Sequence, residues 1–151
     1  LITLGLDVNG AMQAPPAPDV VAWYTFSAPP GSPGNAVFSG HLDWHTGVTG
    51  VFWRLRELRP GDVILIRRPD AEPLRYVVRQ SQRFAREAVP IAEVVGPTPE
   101  EVITLISCEG TFDRATRDYS HRRIVRAARV LPDTGAGVVG GWATLAMSSV
   151  D

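Results

Sequence analysis

Apolar residues fall in short runs along the whole chain, separated by clusters of turn-forming residues. LITLGLDV, VVAWYTF and NAVFSGH are rich in β-branched and aromatic residues. QAPPAP and APPGSPGN lie between them and favour extended or turning backbone. This alternation of run and turn predicts strands. DVILIRR and PLRYVVRQSQRF add two more, joined by a turn around Pro69 and Asp70. VITLISC is apolar throughout, as a strand buried on both faces would be. HRRIVRAARV reads as a strand with Ile124, Arg126 and Ala128 on one face and Val125 and Ala127 on the other. The segment between the last two, EGTFDRATRDYS, reads as a polar loop.

The period changes in GVFWRLRELRPGD. Val51, Phe52, Leu55 and Leu58 recur at helical spacing, which predicts one short helix ended before Pro60-Gly61. IAEVVG fits a helical turn or a loop. In TPEEV, Thr98 is a candidate N-cap, Pro99 suits the first helical position, and Glu100 and Glu101 would sit in the first turn. There is no internal repeat. About seven strands with one or two short helices predict a mainly-β domain, an antiparallel or mixed barrel or sandwich.

The chain has 151 residues, enough for one domain, and its formal net charge of −1 gives no reason to expect nucleic acid or an anionic membrane as partner. All 15 basic residues are arginine. The absence of lysine excludes a Schiff-base lysine, a phosphate-loop lysine and a side-chain amine for an isopeptide bond. One cysteine, Cys108, excludes a disulfide framework and a multi-cysteine zinc site. No signal peptide and no membrane-length apolar stretch is visible. The chain opens at Leu1 rather than methionine, so it is expected to be a trimmed or mature form.

A lone cysteine is most simply a small buried hydrophobe. As a reactive thiol it would need a histidine or another cation beside it. His41, His45 and His121 are available, and arginines gather downstream at Arg114, Arg117, Arg122 and Arg123. A cysteine at a strand end, with a histidine and an arginine on neighbouring strand ends, would suit acyl transfer. The thiolate attacks, the imidazolium protonates the departing amine, and the guanidinium binds the oxyanion. Phosphate-loop, H-E-x-x-H, G-x-S-x-G and G-x-G-x-x-G motifs are all missing. Spacing alone does not choose among the histidines or the arginines.

VFSGHLDWHTGVTGVFWRL, LRPGDVILI and VITLISCEGTFDRATRDYSHRRIVRA together resemble a sortase, a transpeptidase that joins proteins to the bacterial cell wall. The resemblance runs from about Leu4 to about Val130, and EGTFDRATRDY looks like the actinobacterial branches called class E or F. It implies an eight-stranded β-barrel with short helices. His41 matches the catalytic histidine, Cys108 the nucleophile and Arg122 the catalytic arginine. Arg123 would point to the opposite face and would take the role only if the register were off by one. Thr104 and Ser107, in T-L-x-x-C, and Asp43, after the histidine, match positions implied to serve substrate binding. Ser107 stands where the family usually has threonine, and Asp43 could orient a loop or the imidazole or, equally, cap a turn. The family's first strand has no counterpart here, which would leave a bare sheet edge unless the apolar tail fills it.

The resemblance divides the chain into a catalytic domain, 1–130, and a tail, 131–151. It implies cleavage of an L-P-x-T-G-like signal between Thr and Gly, with transfer to a peptidoglycan precursor amine and no metal or cofactor. It also implies a membrane-anchored parent acting at the outer face of the membrane. Another thiol peptidase or amidase, or a wall-anchored β-domain that is itself a substrate, are the alternatives. The tail begins LPDTG, Leu131 to Gly135. That stretch can be a turn, a sorting signal of the chain's own, or a segment that occupies an active site. As a sorting signal it lacks a membrane-length apolar run and basic residues after it.

Overall fold

A computed structural model describes residues 1–131 and, for the backbone, 144–148. The strands are β1 (Ile2–Leu4), β2 (Val21–Tyr24), β3 (Asn35–Gly40), β4 (Val63–Arg68), β5 (Ala71–Ala85), β6 (Val102–Asp113), β7 (Asp118–Val130) and β8 (Thr144–Ser148). They form one eight-stranded sheet in the order β1-β2-β3-β6-β7-β5-β4-β8. Pairing is antiparallel except for β1 with β2, β3 with β6, and β4 with β8. The fold is mainly β with short helices, as expected. β8 belongs to the tail and runs along the outer edge of β4, from Val63 opposite Thr144 to Arg67 opposite Ser148. The tail strand thus covers the outer edge of β4. Pro132 to Gly135 of LPDTG lie outside the described residues.

Alternation divides the sheet into two faces. Phe38, Ile103, Leu105, Val125 and Ala127 turn inward to the main core with Ile64, Tyr76 and Val78. A smaller cluster gathers Val37, Ala22 and Tyr24 with Ile106 and the N-terminal residues Ile2, Leu4 and Met12. Each fully buried large apolar side chain contributes about 1.5–3 kcal/mol.

Three local expectations were wrong in instructive ways. EGTFDRATRDYS is not a loop: β6 runs on to Asp113, β7 starts at Asp118, and the turn between them holds Arg117 at φ 55°. Its polar residues sit on a hairpin that leaves the body of the sheet, so their polarity reports exposure rather than irregular backbone. The helix in GVFWRLREL shrinks to one 3-10 turn, Leu55–Glu57. Phe52, Leu55 and Leu58 are still buried, and the Val51 and Phe52 amides are drawn off to the carbonyls of Pro18 and His41. TPEEV forms no helix. The Thr98 hydroxyl donates to the Glu100 carbonyl, and the Glu101 carboxylate accepts from the Tyr76 hydroxyl at 2.6 Å and pairs with Arg129. The one α-helix among the described residues, α1, is Ile91–Val95, in IAEVVG.

Candidate active site

β3 and β6 run parallel with Ser39 opposite Ile106. His41 is two residues beyond Ser39 and Cys108 two beyond Ile106, so the histidine just past β3 and the cysteine within β6 stand at the same level. The Ser107 hydroxyl donates to the Gly40 carbonyl at 2.9 Å and ties the two strand ends together. Glycine is required on both sides of the histidine. A Cβ on Gly40 would meet Phe52 and Val51 side chains at 2.8 Å, and one on Gly50 would strike the His41 carbonyl. The Gly50 amide donates to the Leu42 carbonyl and the Phe52 amide to that of His41, closing the 41–52 loop on itself.

The His41 Nε2 lies 2.7 Å from the Pro15 carbonyl oxygen. A carbonyl only accepts, so Nε2 carries the proton and Nδ1 is the nitrogen left for exchange. Trp44 packs its edge against the imidazole, with ring centroids 4.8 Å apart. The other two histidines lie elsewhere. His45 is exposed on the loop, and His121 is on the opposite face of β7, bonded through Nδ1 to Ser120 and Arg83.

Cys108 stands directly opposite Arg122 across the β6–β7 pair, and Ser107 opposite Arg123. Directly opposed residues share a face. Arg122 is therefore the arginine on the thiol's side, and Arg123 turns to the other side, where it grips Glu109 at 2.6 and 2.9 Å. The thiol is only partly exposed. Burial pushes it above its ordinary value, the Arg122 charge draws it back, and Asp118 and Asp43 push it up further.

Asp43 is a bridge. It accepts from the Tyr119 hydroxyl at 2.5 Å, which joins the histidine loop to β7. Burial and then this bond to Asp43 push the Tyr119 phenol well above its ordinary range. The Tyr119 ring stacks edge-on against Phe112.

Thr104 lies on the Cys108 face of β6 and Ser107 on the opposite face, and both hydroxyls have partners within the fold. Thr104 is fully buried, and its hydroxyl donates to the Asn35 side chain at 2.7 Å while accepting from Arg126 Nε at 3.2 Å. Ser107 is buried against the Gly40 carbonyl. Both hydroxyls thus bond within the fold, one to Asn35 and one to the strand that carries His41.

A groove of about 280 Å³ lies on the Cys108 side of the sheet. Its floor is a two-strand ladder, Gln80, Gln82 and Phe84 of β5 beside Ile124 and Arg126 of β7. Its wall is Pro90, Glu93 and Val94. Phe84 is opposite Arg122, so the floor runs straight to the arginine and, one strand further, to the cysteine. Sequence reasoning missed this groove, although Gln80, Gln82 and Phe84 alternate as one face of a strand should. It also missed Asp118, Tyr119 and Pro15, whose roles depend on contacts distant in order. Among the described residues, no group of three or more His, Cys, Asp or Glu gathers to hold a metal ion.

The geometry can be set beside known proteins. The Sortase domain matches residues 4–130. Sortase A of Corynebacterium diphtheriae, as a lid mutant, is 28% identical with a TM-score of 0.55, covering 76% of this chain and 57% of its own. Sortase C-1 of Actinomyces oris is 25% identical with a TM-score of 0.57, covering 74% and 57%. The sortase SrtA of the same organism is 25% identical with a TM-score of 0.56, covering 73% and 61%. The chain thus spans less than two thirds of the length of these structures. No curated protein sequence matches it. A domain match over most of the chain, with the same fold in structures at 25–28% identity, leads to one conclusion: the chain belongs to the sortase family.

Proposed function

We propose that this chain is a cysteine transpeptidase that cleaves an L-P-x-T-G-like signal between Thr and Gly and passes the acyl group to a cell-wall amine. The observation that carries the reading is the shared face of Cys108 and Arg122, at the end of a groove and level with His41. The groove has one arginine and one glutamate among its lining residues, which suits an extended, largely uncharged peptide.

The steps follow from these positions. The Cys108 thiolate attacks the threonine carbonyl carbon, and the oxygen takes up the negative charge. Arg122 supplies planar, charged donors to that oxygen. Collapse of the intermediate breaks the C–N bond, and protonated His41 gives a proton to the departing glycine amine. The thioester is then attacked by an incoming amine, whose proton returns to His41, and the thiolate is released with a new amide formed. Asp43 acts through Tyr119 to hold the histidine loop rather than on the substrate.

Residues 1–130 supply the whole of this machinery, and the tail adds β8 to the sheet. The likeness of EGTFDRATRDY to class E or F rests on that segment alone, since the neighbours described above are sortases A and C. The family implies work at the outer face of the membrane, on a parent anchored there. No helix among the described residues is long and apolar enough to cross a membrane.

Incubation with an L-P-x-T-G peptide and a glycine-type amine tests the reading by mass spectrometry. The ligated product supports it, and hydrolysis alone, unchanged by the amine, points to a thiol peptidase. Cleavage that persists in Cys108→Ala overturns it.

A further inference from the structure

Arg122 is already engaged. Its Nη2 donates to both carboxylate oxygens of Asp118, at 2.8 and 2.7 Å. Its Nη1 donates to the carbonyls of Tyr119 and His121, at 3.1 and 3.0 Å. Asp118 precedes Arg122 by four residues on β7 and so shares its face, and that of Cys108. Arg86 approaches Asp118 from the segment after β5, at 3.4 Å, while pairing with Glu87.

We propose that Asp118 is a positioning residue: its carboxylate fixes the plane of the Arg122 guanidinium toward Cys108 and balances its charge until a substrate carbonyl competes for it. With Nη2 held by both carboxylate oxygens and Nη1 by two main-chain carbonyls, the guanidinium is anchored at two nitrogens, so the grip sets orientation as well as place. The effect on turnover rests on the transpeptidase reading; the effect on the thiol does not.

The charged and titratable groups that act on the thiol or feel it are Arg122, Asp118 and the Tyr119 hydroxyl from β7, with Asp43 from the loop after β3; His41 follows β3 at the level of Cys108. Asp118 and Asp43 both oppose the thiolate, and Arg122 favours it. Burial works against ionisation of Asp118, but the bonds from Arg122 and the Tyr119 amide outweigh it and hold its carboxyl below the usual range. It is therefore an anion throughout neutral pH. Removing that charge should make the thiolate easier to form while the guanidinium loses its orientation.

Asp118→Asn keeps the shape and one acceptor but loses the charge. Iodoacetamide labelling of Cys108 across pH is expected to shift to lower pH, with faster labelling at neutrality. Peptide turnover is expected to fall ~10-fold in kcat with KM nearly unchanged. Faster labelling with slower turnover is a pair that a merely structural role would not produce. Asp118→Glu should restore the wild-type labelling profile and recover part of kcat. An unchanged labelling profile in Asp118→Asn, or unchanged kcat, overturns the proposal. If Asp118→Asn does not fold, Asp118→Glu decides: a wild-type profile with lowered kcat supports it, and wild-type kcat overturns it. A shifted profile in a protein that never turns over peptide supports the grip on the thiol and overturns the transpeptidase reading instead.

Discussion

Arg122 and Arg123 are neighbours with the same side chain, and each holds a carboxylate through two bonds. Arg122 grips Asp118 beside the thiol, and Arg123 grips Glu109 on the face that continues into the core of Val125 and Ala127. The Arg123–Glu109 side chains are 15% and 14% exposed, against 20% and 32% for Arg122–Asp118. The more enclosed pair closes the end of the core; the more open one has room for a third partner. What separates them is one step along a strand.

The comparison can be broken most directly by exchanging the fork for a point charge. Arg122→Lys should lower kcat/KM at least ~100-fold, because an ammonium cannot place two parallel donors. Arg123→Lys should leave kcat/KM within about threefold, since it faces away from the thiol. Equal losses in the two variants would erase the distinction.

Stability should respond the other way. Arg123→Ala leaves Glu109 with only its longer contact to Arg83, at 3.4 Å, and should cost about 2 kcal/mol in urea unfolding, between the values for exposed and buried pairs. Glu109 is held below the usual carboxylate range mainly by its bonds from Arg123. A depressed carboxylate stabilises the fold above its unfolded value, roughly pH 4.3, and that contribution is lost as pH falls through the folded value. Glu109→Gln should therefore flatten the loss of melting temperature below about pH 4 while leaving the alkaline side unchanged. The smallest effect belongs to the bridge between the two sides of the site. Tyr119→Phe should cost about 1 kcal/mol and slow turnover ~3-fold by loosening the histidine loop.

Much of this arrangement was legible in order alone. The parity of HRRIVRAARV set Arg122 apart from Arg123, and the apolar run VITLISC implied a rigid strand ending in a thiol. The hairpin beyond Cys108 was hidden because an exposed ribbon has no apolar face to reveal its period. The helix expected at TPEEV yielded to Tyr76 and Arg129, which take the Glu101 side chain, and local propensity carries no information about such partners. The same limit hid the Pro15 carbonyl, the grip of Asp118 and the bond from Thr104 to Asn35. Each is a polar contact that forms only once the strands have paired.

The buried Thr104 hydroxyl has a consequence for redesign. Asn35, which accepts its proton, donates to the carbonyls of Val94 and Gly96, and Arg126 donates to those of Glu93 and Val94. Helix α1 is moored to the sheet by its own main chain, through side chains rooted in three strands. The wall of the groove is thus held in place from beneath. Exposed positions on that helix that do not line the groove, such as Ile91, can be exchanged without the bank itself shifting.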